Sequence, residues 1–190
     1  MDTTIKSGYF AILKKDAYER YFCLSNGKYL TKFQRPLCFI MEDRENKKIL
    51  WAIPVTKLTE KNRDAYYRRA KEYPELHQII TMGDKECCLL LRQMIPIMED
   101  DIDHVFNVNR KPFKMSSTNY KAVRRKANKL LTLTKEKEFL LARRSPMPIM
   151  IMYQKLDNQI KRKEGKEHKV CLEKKKIEIS FCKQQRGRER

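Results

Sequence analysis

No stretch of this chain approaches the about 20 consecutive apolar residues that a membrane-crossing helix requires. The opening Met1-Asp2-Thr3-Thr4-Ile5-Lys6 also lacks the apolar core of a signal peptide. The chain is therefore expected in the cytosol, with no membrane partner. Glycine is sparse, five residues in 190, and none builds a phosphate-cradling loop, so the common nucleotide-hydrolysing patterns are excluded. His77, His104 and His168 are scattered without ligand-like spacing, and no C-x-x-C pair occurs among Cys23, Cys38, Cys87, Cys88, Cys171 and Cys182. Neither a zinc site nor a disulfide framework is expected, and no cofactor is called for. Adjacent Cys87 and Cys88 should point to opposite faces of a strand and, in apolar surroundings, read as small buried hydrophobes.

What the chain has in excess is positive charge. Lys and Arg number 43 against 24 Asp and Glu, a net charge of +19. The excess is uneven: residues 1–110 hold 19 basic and 16 acidic side chains, residues 111–190 hold 24 and 8. Such a field concentrates polyanions, and its placement puts the binding surface mainly in the C-terminal part. A membrane-surface patch and a solubility device are the other readings of basic excess, and nucleic acid is favoured over both. With 41% apolar residues the body has globular composition, and its length suits one domain, residues 1–160, with a basic tail over 161–190.

Along the chain, Tyr9 to Leu13 reads as an opening strand, followed by a short helix capped by Asp16 with Tyr18, Tyr21 and Phe22 at helical spacing. After the turn Ser25-Asn26-Gly27, Leu37–Met41 and Ile49–Val55 form an antiparallel hairpin across a charged turn. Thr59 is expected to cap a polar helix running to Lys71, whose cations read as a solvated face. His77–Met82 and Glu86–Leu91 pair around Gly83-Asp84, and Pro96 demands an edge or a bend. Glu99, Asp100, Asp101 and Asp103 suit a helix N-terminus better than a metal. From a cap at Ser116, Ser117 or Thr118, a helix turns Tyr120, Val123, Ala127, Leu130, Leu131 and Leu133 inward, with Lys121, Arg124, Arg125, Lys126 and Lys129 around them. A further helix over 135–143, a last one from Ile149 to Lys161, and a tail that is a hairpin or disordered until RNA arrives complete the reading. The class is α+β, a small mixed barrel with basic helices.

Two segments frame a site. Lys32-Phe33-Gln34-Arg35-Pro36 leads into one strand, and Ile53-Pro54-Val55-Thr56-Lys57 ends the next, so cations and a hydroxyl converge in a way that suits a phosphodiester. With Tyr18 and Tyr21, the Lys32-x-x-Arg35-Pro36 motif, Ile53-Pro54-Val55-Thr56, Gln93-Met94-Ile95-Pro96-Ile97 and the basic Tyr120–Leu133 helix, residues 8–160 resemble the ToxN/AbiQ endoribonuclease toxins of type III toxin–antitoxin systems, including the CptN and TenpN branches. The resemblance implies a compact, strongly curved antiparallel β-barrel or sheet of MazF/Kid type with surrounding helices. It implies a metal-independent nuclease that cuts single-stranded RNA, cellular or phage mRNA among it, to 2′,3′-cyclic phosphate ends, and that serves abortive phage defence. It further implies that folded, pseudoknot-like repeats of an RNA antitoxin, which the nuclease itself processes, inhibit it within a closed protein–RNA assembly.

Carried onto this chain, Lys32 neutralises charge at the phosphate and Thr56 hydrogen-bonds it. Family members commonly follow that threonine with serine, and Lys57 stands there instead, either a bystander or a second catalytic cation. Tyr18, Tyr21, Tyr29 and Arg35 are candidate RNA contacts, as are Lys121, Arg124, Arg125, Lys126 and Lys129. His77 and His104 are fallback proton-transfer groups. Each has a plain alternative: a solvated lysine, a strand-end hydroxyl, core tyrosines. A noncatalytic RNA- or DNA-binding protein therefore stays open as a second class. A protein-binding inhibitor of a gyrase-type target ranks last, because it leaves the basic segment without a purpose.

Overall fold

The computed structural model describes residues 7–14, 16–17, 37–136 and 149–165. Tyr18, Tyr21, Tyr29, Lys32 and Arg35 lie outside the described residues, as do residues 137–143 of the expected 135–143 helix and the chain beyond 165.

Seven strands form one antiparallel sheet: β1 (Phe10–Leu13), β2 (Leu37–Glu42), β3 (Leu50–Lys57), β4 (His77–Met82), β5 (Lys85–Leu90), β6 (Ile95–Ile97) and β7 (Ile102–Val105). Their order is β4-β5-β3-β2-β1-β7, with β6 beside β3, and β8 (Asn107–Val108) and β9 (Lys111–Pro112) make a separate hairpin. Helices α1 (Arg63–Glu72), α2 (Ser117–Lys135) and α3 (residues 149–165) accompany them. The class is α+β, as the patterning requires. Among the described residues the sheet does not close into a barrel: β4 and β7 end the path without pairing. At the start of β4 the Lys126 ammonium of α2 donates to the His77 carbonyl at 3.4 Å, so a helix, not a strand, meets that end of the sheet. No described helix is long and apolar enough to cross a membrane.

The β2–β3 hairpin follows from its two apolar runs, and Asp43 shapes its turn. One carboxylate oxygen accepts the N–H groups of Glu45 (2.9 Å) and Asn46 (2.8 Å), an Asx turn. The same carboxylate, only 6% exposed, also accepts the Trp51 indole N–H at 2.8 Å and the Tyr153 hydroxyl at 2.9 Å. Trp51 and Tyr153 stack at 5.9 Å and 9°, which pins α3 to the sheet. In β3 the run Leu50–Pro54 is buried without alternation, the pattern of a strand covered on both faces.

Two limbs share one edge of β3. Leu50, Trp51 and Ala52 pair with β6, whereas Val55, Thr56 and Lys57 pair with β5. Between them the partner chain leaves the ladder in a short 3₁₀ turn, Leu91–Gln93. Ile53 and Pro54 therefore have no ladder partner on that edge, and the missing N–H of Pro54 is tolerated there although β3 is internal. Pro96 sits opposite Trp51 on the short strand β6, as its edge reading demands.

Ser116 caps α2, its hydroxyl accepting the Asn119 N–H at 3.4 Å. Val123, Ala127, Leu130 and Leu131 are buried, and burying one such leucine is worth about 2 kcal/mol. Leu133 is only half-buried, and Thr134 enters the core instead, its hydroxyl satisfied by the Leu130 carbonyl at 2.8 Å. Tyr120 meets Phe39 edge-on at 6.1 Å, and Phe39 in turn packs on Phe10 at 5.3 Å. Helix α1 starts three residues later than expected. Thr59 is not its cap: the Asn62 side chain accepts the Thr59 N–H at 2.7 Å and donates to the Lys57 carbonyl at 3.3 Å, spending the segment on a β3–α1 turn. The acidic run forms a single 3₁₀ turn, Glu99–Asp101, in which the Asp101 carboxylate accepts the Met98 N–H at 2.9 Å. Helix α3 continues to residue 165, past the expected end at Lys161.

Candidate nucleic-acid interface

The 3₁₀ excursion between β5 and β6 builds a cleft. Its first residue is tied down, the Leu91 N–H bonding the Leu76 carbonyl at 3.0 Å, and bulges of this kind re-aim the side chains they carry. Arg92 and Gln93 thereby join Leu76, His77 and Leu90, with Arg69 and Tyr73 from α1 and its C-cap, around a space of about 390 Å³.

His77 lies at its wall. The Tyr66 ring meets the imidazole edge-on at 6.3 Å, and the Arg69 guanidinium lies over Tyr66 at 5.3 Å. Burial pushes the His77 ring below the usual histidine range, the Tyr73 backbone opposes this, and the positive charges of Arg69, Arg92 and Lys126 reinforce it. At neutral pH this imidazole is uncharged. Its Nδ1 is buried and has no hydrogen-bond partner among the described residues. Lys126 is itself held by the Gln78 side chain at 2.8 Å, and burial lowers its ammonium below the usual lysine range.

The register relates Thr56 to this cleft. Thr56 pairs with Cys88, which pairs with Ile79, two residues along β4 from His77. Paired residues share a face, so Thr56 and His77 lie on one side of the sheet; two strand spacings and two residues of rise put their Cα atoms on the order of 12 Å apart. Lys57 pairs with Cys87 and Ile80 and projects from the other side. Strand alternation thus separates the hydroxyl from the second cation. The motifs Ile53–Thr56 and Gln93–Ile97 do not pair: β6 lies against Leu50–Ala52, upstream of the first motif, and Val55 and Thr56 pair with β5 instead.

The five α2 cations do not form one line. At 100° per residue, Lys121, Arg125 and Lys129 face outward, Lys126 turns toward β4, and Arg124 lies on the opposite flank. Lys129 is engaged by Glu75 at 3.1 Å. His104, on β7 at the far edge of the sheet, bonds the neighbouring Asp103 at 2.9 Å and belongs to no cluster with His77.

Patterning alone assigns α1 to solvent, and α1 buries no residue. Its surface nonetheless interleaves Arg63, Arg68 and Arg69 with Tyr66 and Tyr67, followed by Tyr73, and Tyr67 and Tyr73 are 42% and 56% exposed. Arg69, Tyr73, Arg92 and Gln93 are site residues that sequence reasoning misses. The available signals are this alternation and the arginine that ends the apolar run Leu89-Leu90-Leu91.

Burial lifts the Cys38 thiol to about 12 and Cys88 to about 11, so neither is a nucleophile at neutral pH. Among the described residues no group of three or more His, Cys, Asp or Glu side chains gathers to hold a metal ion. Comparison with known proteins finds no family model and no curated protein that matches the chain.

Proposed function

We propose that this protein is an RNA-cleaving enzyme of the ToxN/AbiQ kind, a metal-independent endoribonuclease acting on single-stranded RNA in the cytoplasm. The observation that carries the reading is the convergence of Arg69, Arg92 and Lys126 on an uncharged histidine, His77, on the sheet face that bears Thr56. The resemblance in residues 8–160 supports it independently, and the open sheet is read as the curved MazF/Kid-like sheet of that family. In the reaction the substrate's own 2′-hydroxyl loses its proton, its oxygen bonds the adjacent phosphorus, and the P–O5′ bond breaks as the 5′-oxygen takes up a proton. Nothing is oxidised and no water is consumed. Lys32 and Thr56 stabilise the charge on phosphorus, removal of one such donor typically lowering the rate about 10²–10³-fold. Lys57, on the opposite face, serves a neighbouring phosphate rather than the scissile one. Folded RNA antitoxin repeats, themselves products of the enzyme, occupy the same basic surface and hold it inactive in a closed protein–RNA assembly.

The test is incubation with a long cellular RNA in EDTA, beside Lys32→Ala and Thr56→Ala. Discrete cuts ending in 2′,3′-cyclic phosphates, lost in the variants, support the reading. Intact RNA retarded equally by all three proteins refutes it. That outcome would establish the second reading, a noncatalytic RNA binder, which the outward row Lys121, Arg125 and Lys129 on α2 favours.

A further inference from the structure

We infer that the cleft between α1, the start of β4 and the Leu91–Gln93 turn is a subsite for one unstacked RNA nucleotide, its base against Tyr73, Leu76 and Leu90 and its phosphate between Arg69 and Arg92. The inference rests on RNA being the ligand, and not on RNA being cut. Four properties commit the cleft to this occupant. Its volume, about 390 Å³, falls within the about 300–1,000 Å³ of small-ligand sites, room for a nucleotide and too little for a helix or a strand of another protein. Its walls combine apolar surface with two guanidiniums, the pairing that a flat base joined to an anion requires, and among the described residues no carboxylate lines it. The nearby carboxylate of Glu75 is turned to Lys129 at 3.1 Å. Tyr73, more than half exposed at the helix end, presents the aromatic face on which a base stacks. Gln93 supplies an amide able to donate to and accept from a base edge.

His77 reports occupancy. The groups that act on its ring are Arg69 and Tyr66 of α1 with the Tyr73 backbone, Arg92 of the excursion, and Lys126 of α2, whose field Glu75 answers; the Cys88 thiol of β5 lies under the same cations. A bound phosphate opposes those cations and so raises the proton affinity of the imidazole. The experiment follows the imidazole resonances of the full chain by NMR as each of the four nucleoside 3′-monophosphates is added, with inorganic phosphate and the free nucleosides as controls. The expected result is an upward shift of the His77 titration midpoint by about one pH unit with the nucleotides. His104 should not move. Arg69→Gln, on the exposed helix, and Arg92→Gln should each weaken binding about tenfold or more.

No change at His77 with any of the four nucleotides overturns the subsite. A response reproduced in full by inorganic phosphate removes the base from it, and binding untouched by Arg69→Gln removes the arginine clamp. The same variants read in the cleavage assay separate the two proposals. Nucleotide binding without RNA cleavage keeps the subsite and sinks the nuclease, whereas cleavage without nucleotide binding sinks the subsite alone.

Discussion

Asp43 is the most consequential polar group in the described core, and replacing it should destabilise the protein more than any change at the cleft. Its buried carboxylate accepts four hydrogen bonds, from the Trp51 indole, the Tyr153 hydroxyl and the backbone N–H groups of Glu45 and Asn46. Asp43→Ala leaves all four donors without it. The two turn N–H groups are only partly buried and can recover water, whereas the indole and phenol bonds are buried, and each donor stranded there costs about 1–3 kcal/mol. Adding the cavity left by the side chain, the expected loss is about 3–5 kcal/mol, a large share of the about 5–15 kcal/mol that holds a domain folded. Asp43→Asn keeps the shape and one acceptor but turns an amide N–H toward a donor, for a loss of about 2 kcal/mol. Tyr153→Phe removes one donor and costs about 1 kcal/mol.

The assay is urea unfolding followed by fluorescence. Trp51 is the sole tryptophan and its indole sits inside the network, so its emission reports the site and its midpoint the fold. Because Asp43 and Tyr153 share a hydrogen bond, the double variant Asp43→Asn/Tyr153→Phe should be less destabilised than the sum of its parts by about 1 kcal/mol. An Asp43→Asn protein within about 0.5 kcal/mol of the parent would refute the reasoning, since ordinary surface substitutions lie in that range.

The acid limb of the stability profile should show two steps. Burial pushes the Asp43 carboxyl up, but its hydrogen bonds from Asn46, Trp51, Glu45 and Tyr153 together hold it below the ordinary range, so its contribution is full above about pH 3.9 and is lost as pH falls through its lower folded value. Burial depresses His77 as well, so stability begins to fall below about pH 6.5, where the unfolded imidazole protonates first, and His77→Gln should abolish only this earlier step in urea midpoints taken from pH 7.5 to 3. At the β8–β9 turn, Asn109 and Arg110 both adopt positive φ, +52° and +63°, the conformation of a two-residue hairpin turn whose second position suits glycine. Arg110→Gly should therefore stabilise the protein by about 1 kcal/mol, and a lower urea midpoint would contradict it.

Local chemistry was readable and long-range geometry was not. The β2–β3 and β4–β5 hairpins follow from apolar runs bounded by the Asp43 turn and by Gly83, whose φ of +63° only glycine adopts freely. The α2 cap at Ser116 and the edge position of Pro96 are likewise fixed by residues within a few positions of them. Sheet closure depends instead on whether β4 and β7 meet, and nothing in either segment encodes that. Thr59 does not cap α1, and Asn62, which takes the cap position, spends its side chain on the Thr59 N–H and the Lys57 carbonyl, an outcome that only the path of the turn decides. The cleft draws Arg69, His77 and Arg92 from three separate segments, and a ladder interruption that shows in the sequence only as Arg92-Gln93 after three leucines brings them together.

That assembly also separates what holds the protein together from what the cleft binds. Helix α1 forms one wall yet buries no residue; Glu86 holds it through the Arg63 guanidinium at 2.9 Å and the Tyr67 hydroxyl at 2.7 Å, and Tyr66 rests on His77. An exposed ion pair of this sort contributes about 0–1 kcal/mol, so α1 adds little to the stability of the sheet. Most of the stability comes from burial around Phe39, Trp51 and the inward face of α2, none of which lines the cleft. Changes at Asp43 should therefore move the urea midpoint and leave nucleotide binding intact, whereas changes at Arg69 should do the reverse.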